Sequence, residues 1–163
     1  MTRFWTNKIL QILFVIAVGV LPASSQNMAL EGKLGLSFLT GSGGSTGLLI
    51  GGGLDVPMQE KLYFRPELNI TTHGGTPIEL GAKARYFLPP NSFSTELFID
   101  GGIGIWFYSG GSALGLDGGI GTLLTPSNSA FQVPIELRLG PIFESGSPVF
   151  QIVLTTGIRV AVR

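Results

Sequence analysis

The amino-acid sequence predicts an all-β fold, a single eight-stranded antiparallel up-and-down transmembrane β-barrel preceded by a cleavable signal peptide. Three features predict it. A short apolar segment follows two cations at the N-terminus, apolar and polar residues alternate with a period of two in the rest of the chain, and turn residues interrupt that alternation at short intervals. Only 12% of the 163 residues are charged, about half the usage of an ordinary soluble domain, and 25 are glycine.

The N-terminal segment has the three parts of a secretory signal peptide. Arg3 and Lys8 precede an apolar run over residues 9–21, and small residues at 23–25 precede a predicted cleavage before Gln26. A membrane-spanning helix is the alternative, but 13 residues cover only about 20 Å of a roughly 30 Å hydrocarbon core. Residues 1–25 are therefore predicted to be a signal peptide and residues 26–163 an outer-membrane barrel domain.

Eight segments of alternating character follow, and each is separated from the next by a short stretch rich in Gly, Pro, Ser or Asn. They are longer than strands of ordinary sheets and suit a tilted strand that crosses a bilayer, which needs about 9–11 residues. The predicted strands are 30–40, 46–56, 61–72, 77–88, 95–108, 112–124, 131–143 and 148–163.

One face of every predicted strand is free of charge, and the charged residues all fall on the other face. Because acids and bases are balanced there, they indicate an internal salt-bridge network and not the single-sign ring of a selective pore. The sequence predicts that Glu67 pairs with Lys83 or Arg85. The predicted network comprises Arg65, Glu67, Glu79, Lys83, Arg85, Glu136, Arg138 and Arg159.

Three features favour lipid outside the barrel over a soluble barrel with an apolar interior, and the export signal predicted at residues 1–25 is one of them. The polar face carries twelve glycines, which would weaken a solvent-facing strand but leave room in a crowded eight-stranded lumen. The apolar face carries its aromatic residues near strand ends, as membrane interfaces require. These predicted interface residues are Phe64, Tyr86 and Phe131 at one end, and Phe38, Phe107, Phe143 and Phe150 at the other.

Three prolines inside predicted strands each remove one backbone donor from the ladder. They are Pro66, Pro134 and Pro141. A closed barrel has no edge strand in which such a residue is harmless. We therefore expect β-bulges at these three positions.

Three segments resemble the outer membrane protein β-barrel domain, or porin family, of Bacteroidetes-type bacteria. They are RPELNI at 65–70, TPIELGAKARYFLPP at 76–90 and ELFIDGGIGIWF at 96–107. In size the chain also resembles the OmpX-type eight-stranded barrels. The resemblance implies an outer membrane of a Gram-negative-type bacterium, contact with its lipid, and the barrel-assembly machinery as a partner in biogenesis. It departs from such barrels in ending at Arg163 and not at an aromatic residue.

No motif predicts catalysis, a cofactor or a metal. The glycine-rich segments 41–47, 100–104 and 117–121 lack the lysine or spacing of nucleotide-binding loops. The chain has no cysteine and a formal net charge of zero, so thiolate chemistry is excluded and nothing favours a nucleic-acid partner. His73, the sole histidine, has no serine near it in sequence, and we expect a solvated loop residue.

These observations predict a small outer-membrane barrel with a filled, salt-bridged lumen, a structural or interaction role and no enzymatic activity. A porin-like channel for small solutes is the first alternative. A soluble periplasmic barrel that binds an apolar ligand is the second. The sequence gives no indication of a soluble partner.

Overall fold

A computed structural model describes residues 28–41, 44–74, 76–89, 95–144 and 148–162. The predicted signal peptide at 1–25 lies outside the described residues. Each of the eight predicted strands is present, and no predicted end differs from the observed end by more than two residues. The strands are β1 (Met28–Thr40), β2 (Ser45–Pro57), β3 (Leu62–Thr71), β4 (Ile78–Phe87), β5 (Glu96–Tyr108), β6 (Gly111–Leu124), β7 (Phe131–Phe143) and β8 (Val149–Val162).

The eight strands form a closed antiparallel barrel in sequence order, which confirms the predicted fold. Each strand pairs with the next, and β1 closes the barrel by pairing with β8 from Met28↔Val162 to Thr40↔Phe150. We call the end at which Met28 and Val162 lie the terminal end, and the opposite end the distal end. In the described ranges, no helix is long and apolar enough to cross a membrane.

The alternation in the sequence places aliphatic side chains outside and charged side chains inside. Leu34 and Ile50 are 60% and 59% exposed, whereas Arg65 and Arg85 are fully buried. Period-two strands present alternate residues to opposite faces, so one face meets the lumen and the other the surroundings. This arrangement is the reverse of the soluble alternative, in which the apolar face would have formed the interior.

Several inward glycines lie where neighbouring strands come close together. A Cβ atom added at Gly102 would clash with the backbone of Ala82 and Lys83, and one added at Gly140 would clash with the backbone at Leu116. Glycine is therefore required at these two positions by the close approach of the adjacent strand.

The expected bulges at the three prolines are wrong. The β2–β3 register is the same on both sides of Pro66, since Gly53↔Glu67 and Val56↔Phe64 belong to one continuous alignment. The registers around Pro134 and Pro141 are likewise unchanged, although two pairs are missing from the ladder at each proline. A shift of one residue would have turned the apolar face inward, so each proline interrupts the pairing on one side and leaves the register intact.

Candidate functional site

The lumen contains a continuous network of ion pairs with Glu67 near its centre. Its carboxylate oxygens lie 2.7 Å from Lys33 Nζ, 2.6 Å from Arg65 Nε, 3.3 Å from Lys83 Nζ and 3.2 Å from Arg138 Nη1. The predicted pair between Glu67 and Lys83 is therefore present. The side chains of Glu67 and Lys83 are fully buried, so water does not screen their attraction.

Arg85, the other partner suggested for Glu67, contacts different carboxylates. Its guanidinium nitrogens lie 3.1 Å from a Glu31 oxygen, 3.1 Å from an Asp100 oxygen and 2.8 Å from a Glu136 oxygen. Arg65 lies between this group and Glu67, and it also binds Glu31 and Asp55. A forked guanidinium donates to several carboxylates at once, so these two arginines connect strands that are not neighbours in the sheet.

The remaining predicted members lie on the same inward face. Arg138 contacts Asp117 at 3.1 Å, and Arg159 Nε contacts Asp55 at 2.9 Å near the terminal end. Among the described residues, Glu79 contacts the Asn69 amide at 3.0 Å and Arg138 at 3.9 Å. Among the described residues, seven carboxylates and six cations form these ion pairs. The two signs are mixed through the lumen and do not separate into rings.

Aromatic side chains fill the lumen beside the charges. The Arg85 guanidinium carbon lies 3.8 Å from the ring centre of Phe98, and Phe98 packs edge-on against Phe87 at 5.9 Å. Phe87 in turn packs against Tyr63 at 5.3 Å. Nearer the distal end, Trp106 occupies the space that the missing side chains of two inward glycines leave, Gly104 and Gly115. An eight-stranded barrel has little free cross-section, and these rings occupy much of it.

The seven predicted interface aromatics all lie on the outward face, where they are exposed or half-buried. The strand order puts them into two groups at the two ends of the barrel. The distal group is Phe38, Phe107, Phe143 and Phe150, and the terminal group is Phe64, Tyr86 and Phe131.

His73 is not the solvated loop residue that the sequence suggested. Its side chain turns into the distal mouth of the lumen, and the residue is only 6% exposed. Nδ1 lies 3.0 Å from Ser45 Oγ, and Nε2 lies 2.9 Å from Ser37 Oγ. Ser37 also accepts a hydrogen bond of 2.9 Å from Gln151 Nε2. We call Ser37, Ser45, His73 and Gln151 the distal histidine cluster.

The cluster was missed because its members are far apart in the sequence. Ser37 and Ser45 precede His73 by 36 and 28 residues, and only the closed arrangement of β1, β2, β3 and β8 brings them together. One signal was available in the alternation, since Ser37 occupies an inward position of β1. Burial lowers the pKa of His73 because removal of water disfavours the imidazolium. The imidazole is therefore neutral at pH 7.

Comparisons with known proteins show which solved structures share this barrel. A scan against protein-family models found no match, and a search of curated proteins found none either. Among solved structures, Neisserial surface protein A is 14% identical, covers 82% of this chain and 96% of its own, and superposes with a TM-score of 0.66. The N-terminal β-barrel domain of Pseudomonas aeruginosa OprF is 10% identical over 82% of this chain and 99% of its own, with a TM-score of 0.53.

A third similar structure is the outer membrane enzyme PagL. It is 17% identical over 81% of this chain and 98% of its own, with a TM-score of 0.51. At such identities the likeness concerns the fold alone. This chain therefore has the fold of the small eight-stranded outer-membrane barrels, which agrees with its OmpX-like size.

Proposed function

We propose that this protein is a small outer-membrane β-barrel of a Gram-negative-type bacterium with a structural or interaction role, and that its lumen does not conduct solutes. One observation carries the proposal. Ionised side chains fill the interior, while aliphatic side chains such as Leu34, Leu48 and Ile50 are about 60% exposed around the exterior.

Lipid is the surrounding that this exterior fits best. Monomeric soluble proteins rarely expose apolar patches larger than a few hundred Å², whereas here all eight strands present large apolar side chains outward. The two groups of outward aromatics lie where the interfaces of a membrane would lie. Outer-membrane lipid and, during biogenesis, the barrel-assembly machinery are the partners that follow. The resemblance of segments 65–70, 76–90 and 96–107 to the Bacteroidetes-type porin family supports an origin in a Gram-negative-type bacterium.

A closed lumen follows from what fills it. Arg85 lies against Phe98 and pairs with four carboxylates, so it is held across the interior from several sides. Trp106 fills the space beside Gly104 and Gly115 closer to the distal end. A conducting pore would need a continuous path and, for selectivity, a ring of one charge sign. The mixed pairs and the rings oppose both requirements.

Single-channel recording in planar bilayers tests this proposal. We expect no conductance steps after insertion of the folded protein, with a general porin recorded in the same lipid as the positive control. Flotation of protein-containing liposomes shows that the barrel has inserted, so silence cannot come from a failure to insert. Conductance steps that scale with salt concentration would contradict the closed lumen and favour the porin-like alternative.

A further inference from the structure

We propose that the distal histidine cluster is a serine hydrolase site, in which Ser45 is the nucleophile, His73 is its general base, and the substrate is a small carboxylic ester. This goes beyond the proposed structural role and departs from the expectation that the barrel has no enzymatic activity. That expectation depended on the absence of a serine beside His73, and the structure supplies two.

The first requirement is a base within hydrogen-bonding reach of a hydroxyl group. Ser45 Oγ lies 3.0 Å from His73 Nδ1, inside the range over which an imidazole removes a hydroxyl proton. The base must also be unprotonated. Burial lowers the pKa of His73, so the ring is neutral at pH 7 and Nδ1 can accept the proton.

The second requirement is that the ring be held in one orientation. Gln151 Nε2 can only donate, so Ser37 Oγ accepts from it at 2.9 Å. Ser37 Oγ lies 2.9 Å from His73 Nε2 on its other side. When Nε2 carries the proton, it donates to Ser37 and leaves the Nδ1 lone pair directed at Ser45. Ser37 and Gln151 are therefore positioning residues, while Ser45 and His73 are the catalytic pair.

The strands also leave space for the imidazole at this place. A Cβ atom added at Gly47 would lie 3.0 Å from His73 Nδ1 and 3.1 Å from its Cε1, closer than side chains normally approach. Gly47 follows Ser45 by two residues on the same inward face of β2. The glycine thus lets the ring lie flat against the strand that presents the nucleophile.

Access and leaving group define the substrate. Ser37 is fully buried, whereas Ser45 is half-buried at the distal mouth, so the proposed substrate approaches from that end. Within the described residues, His73 has hydroxyl partners and no carboxylate partner. In the part of the chain that the structure describes, no fixed anion stabilises the imidazolium that forms in the reaction. Such a pair suits substrates with good leaving groups, so we assign esters and not amides.

The reaction balances with water as the only co-reactant. Ser45 Oγ bonds to the ester carbonyl carbon and its proton passes to His73 Nδ1. The bond to the alcohol oxygen breaks, and the alcohol leaves with that proton. Water then attacks the acyl-serine, gives a proton to Nδ1, and releases the carboxylic acid as Ser45 regains its proton.

The test uses the folded full barrel in detergent micelles with p-nitrophenyl acetate as substrate and a fluorophosphonate as covalent probe. We expect hydrolysis above the buffer rate and probe attachment at Ser45, located by peptide mass mapping. Ser45→Ala and His73→Gln should each lower the hydrolysis rate by about 100-fold or more, the usual contribution of a general base. Ser112→Ala is the matched control, because Ser112 is an exposed serine at the same end of the barrel.

A pH profile separates catalysis from a structural role. The rate should rise with pH through the lowered pKa of His73 and level off once the imidazole is neutral. Heat-modifiable migration on a denaturing gel shows whether each variant is folded. A wild-type barrel that neither hydrolyses the ester above the buffer rate nor reacts with the probe overturns the proposal. Probe attachment to Ser112 as fast as to Ser45 also overturns it.

Discussion

Glu67 shows at the residue scale how the interior can hold ionised groups without water. Four cations lie within 3.3 Å of its two oxygens, and three of them, Arg65, Lys83 and Arg138, also pair with other carboxylates. A buried charge that loses its partners keeps its desolvation cost. Removal of one partner therefore destabilises the protein by much more than the intact pair stabilises it. The lumen charges therefore depend on one another.

The substitution Glu67→Gln measures this dependence. It leaves four cations with one fewer anion at the centre of the network, so the free energy of unfolding should fall by about 3–5 kcal/mol. Urea titration of the barrel in lipid vesicles provides the measurement. Glu96→Gln is the control, because Glu96 is exposed and its contact is a 3.3 Å hydrogen bond from Gln132. Equal effects of the two substitutions would show that the central pairs contribute nothing beyond an exposed contact.

Close strand approach at inward glycines is testable at the scale of the β-strand. Gly102→Ala on β5 places a methyl group against the backbone of β4, so we expect a loss of about 1–3 kcal/mol in the free energy of unfolding. Gly118 on the outward face of β6 is the control, since an added Cβ there would lie 3.7 Å from the Asp100 carbonyl oxygen, an ordinary contact. Gly118→Ala should be neutral or slightly stabilising. An equal fall in the free energy of unfolding for both substitutions would contradict the claim that close strand approach requires glycine at position 102.

Strand number, strand ends and facing were predictable because period two and turn residues are local signals. The effect of the three prolines on strand pairing was not predictable. A bulge and an interrupted ladder are compatible with the same sequence and differ only in register. The adjacency of β3 and β4 limited the predicted partners of Glu67 to Lys83 and Arg85, and the structure shows the pair with Lys83. The distal histidine cluster could not be predicted, because Ser37 reaches His73 only when β1, β2 and β3 are aligned, and Gln151 reaches Ser37 only after β1 pairs with β8.

At the scale of the whole molecule, the other features depend on which face of the strands lies inside the barrel. Eight strands with apolar and ionic faces can close with either face inward. Water around the barrel favours the apolar face inside, and lipid favours the ionic face inside. Here the ionic face is inside, where glycines make space and opposite charges are paired. A single cation on the outward face at the middle of a bilayer would cost about 2–4 kcal/mol, which explains why the outward face carries none in the described strands.

Spin labels along β7 test this choice most directly. The chain has no cysteine, so single cysteines at positions 135 to 139 can be labelled without a background. In reconstituted bilayers, we expect collision with dissolved oxygen to be high at Ile135, Leu137 and Leu139 and low at Glu136 and Arg138, whose side chains face the lumen. The opposite phase, or high collision of Ile135, Leu137 and Leu139 labels with a water-soluble nickel chelate, would contradict a lipid-facing exterior.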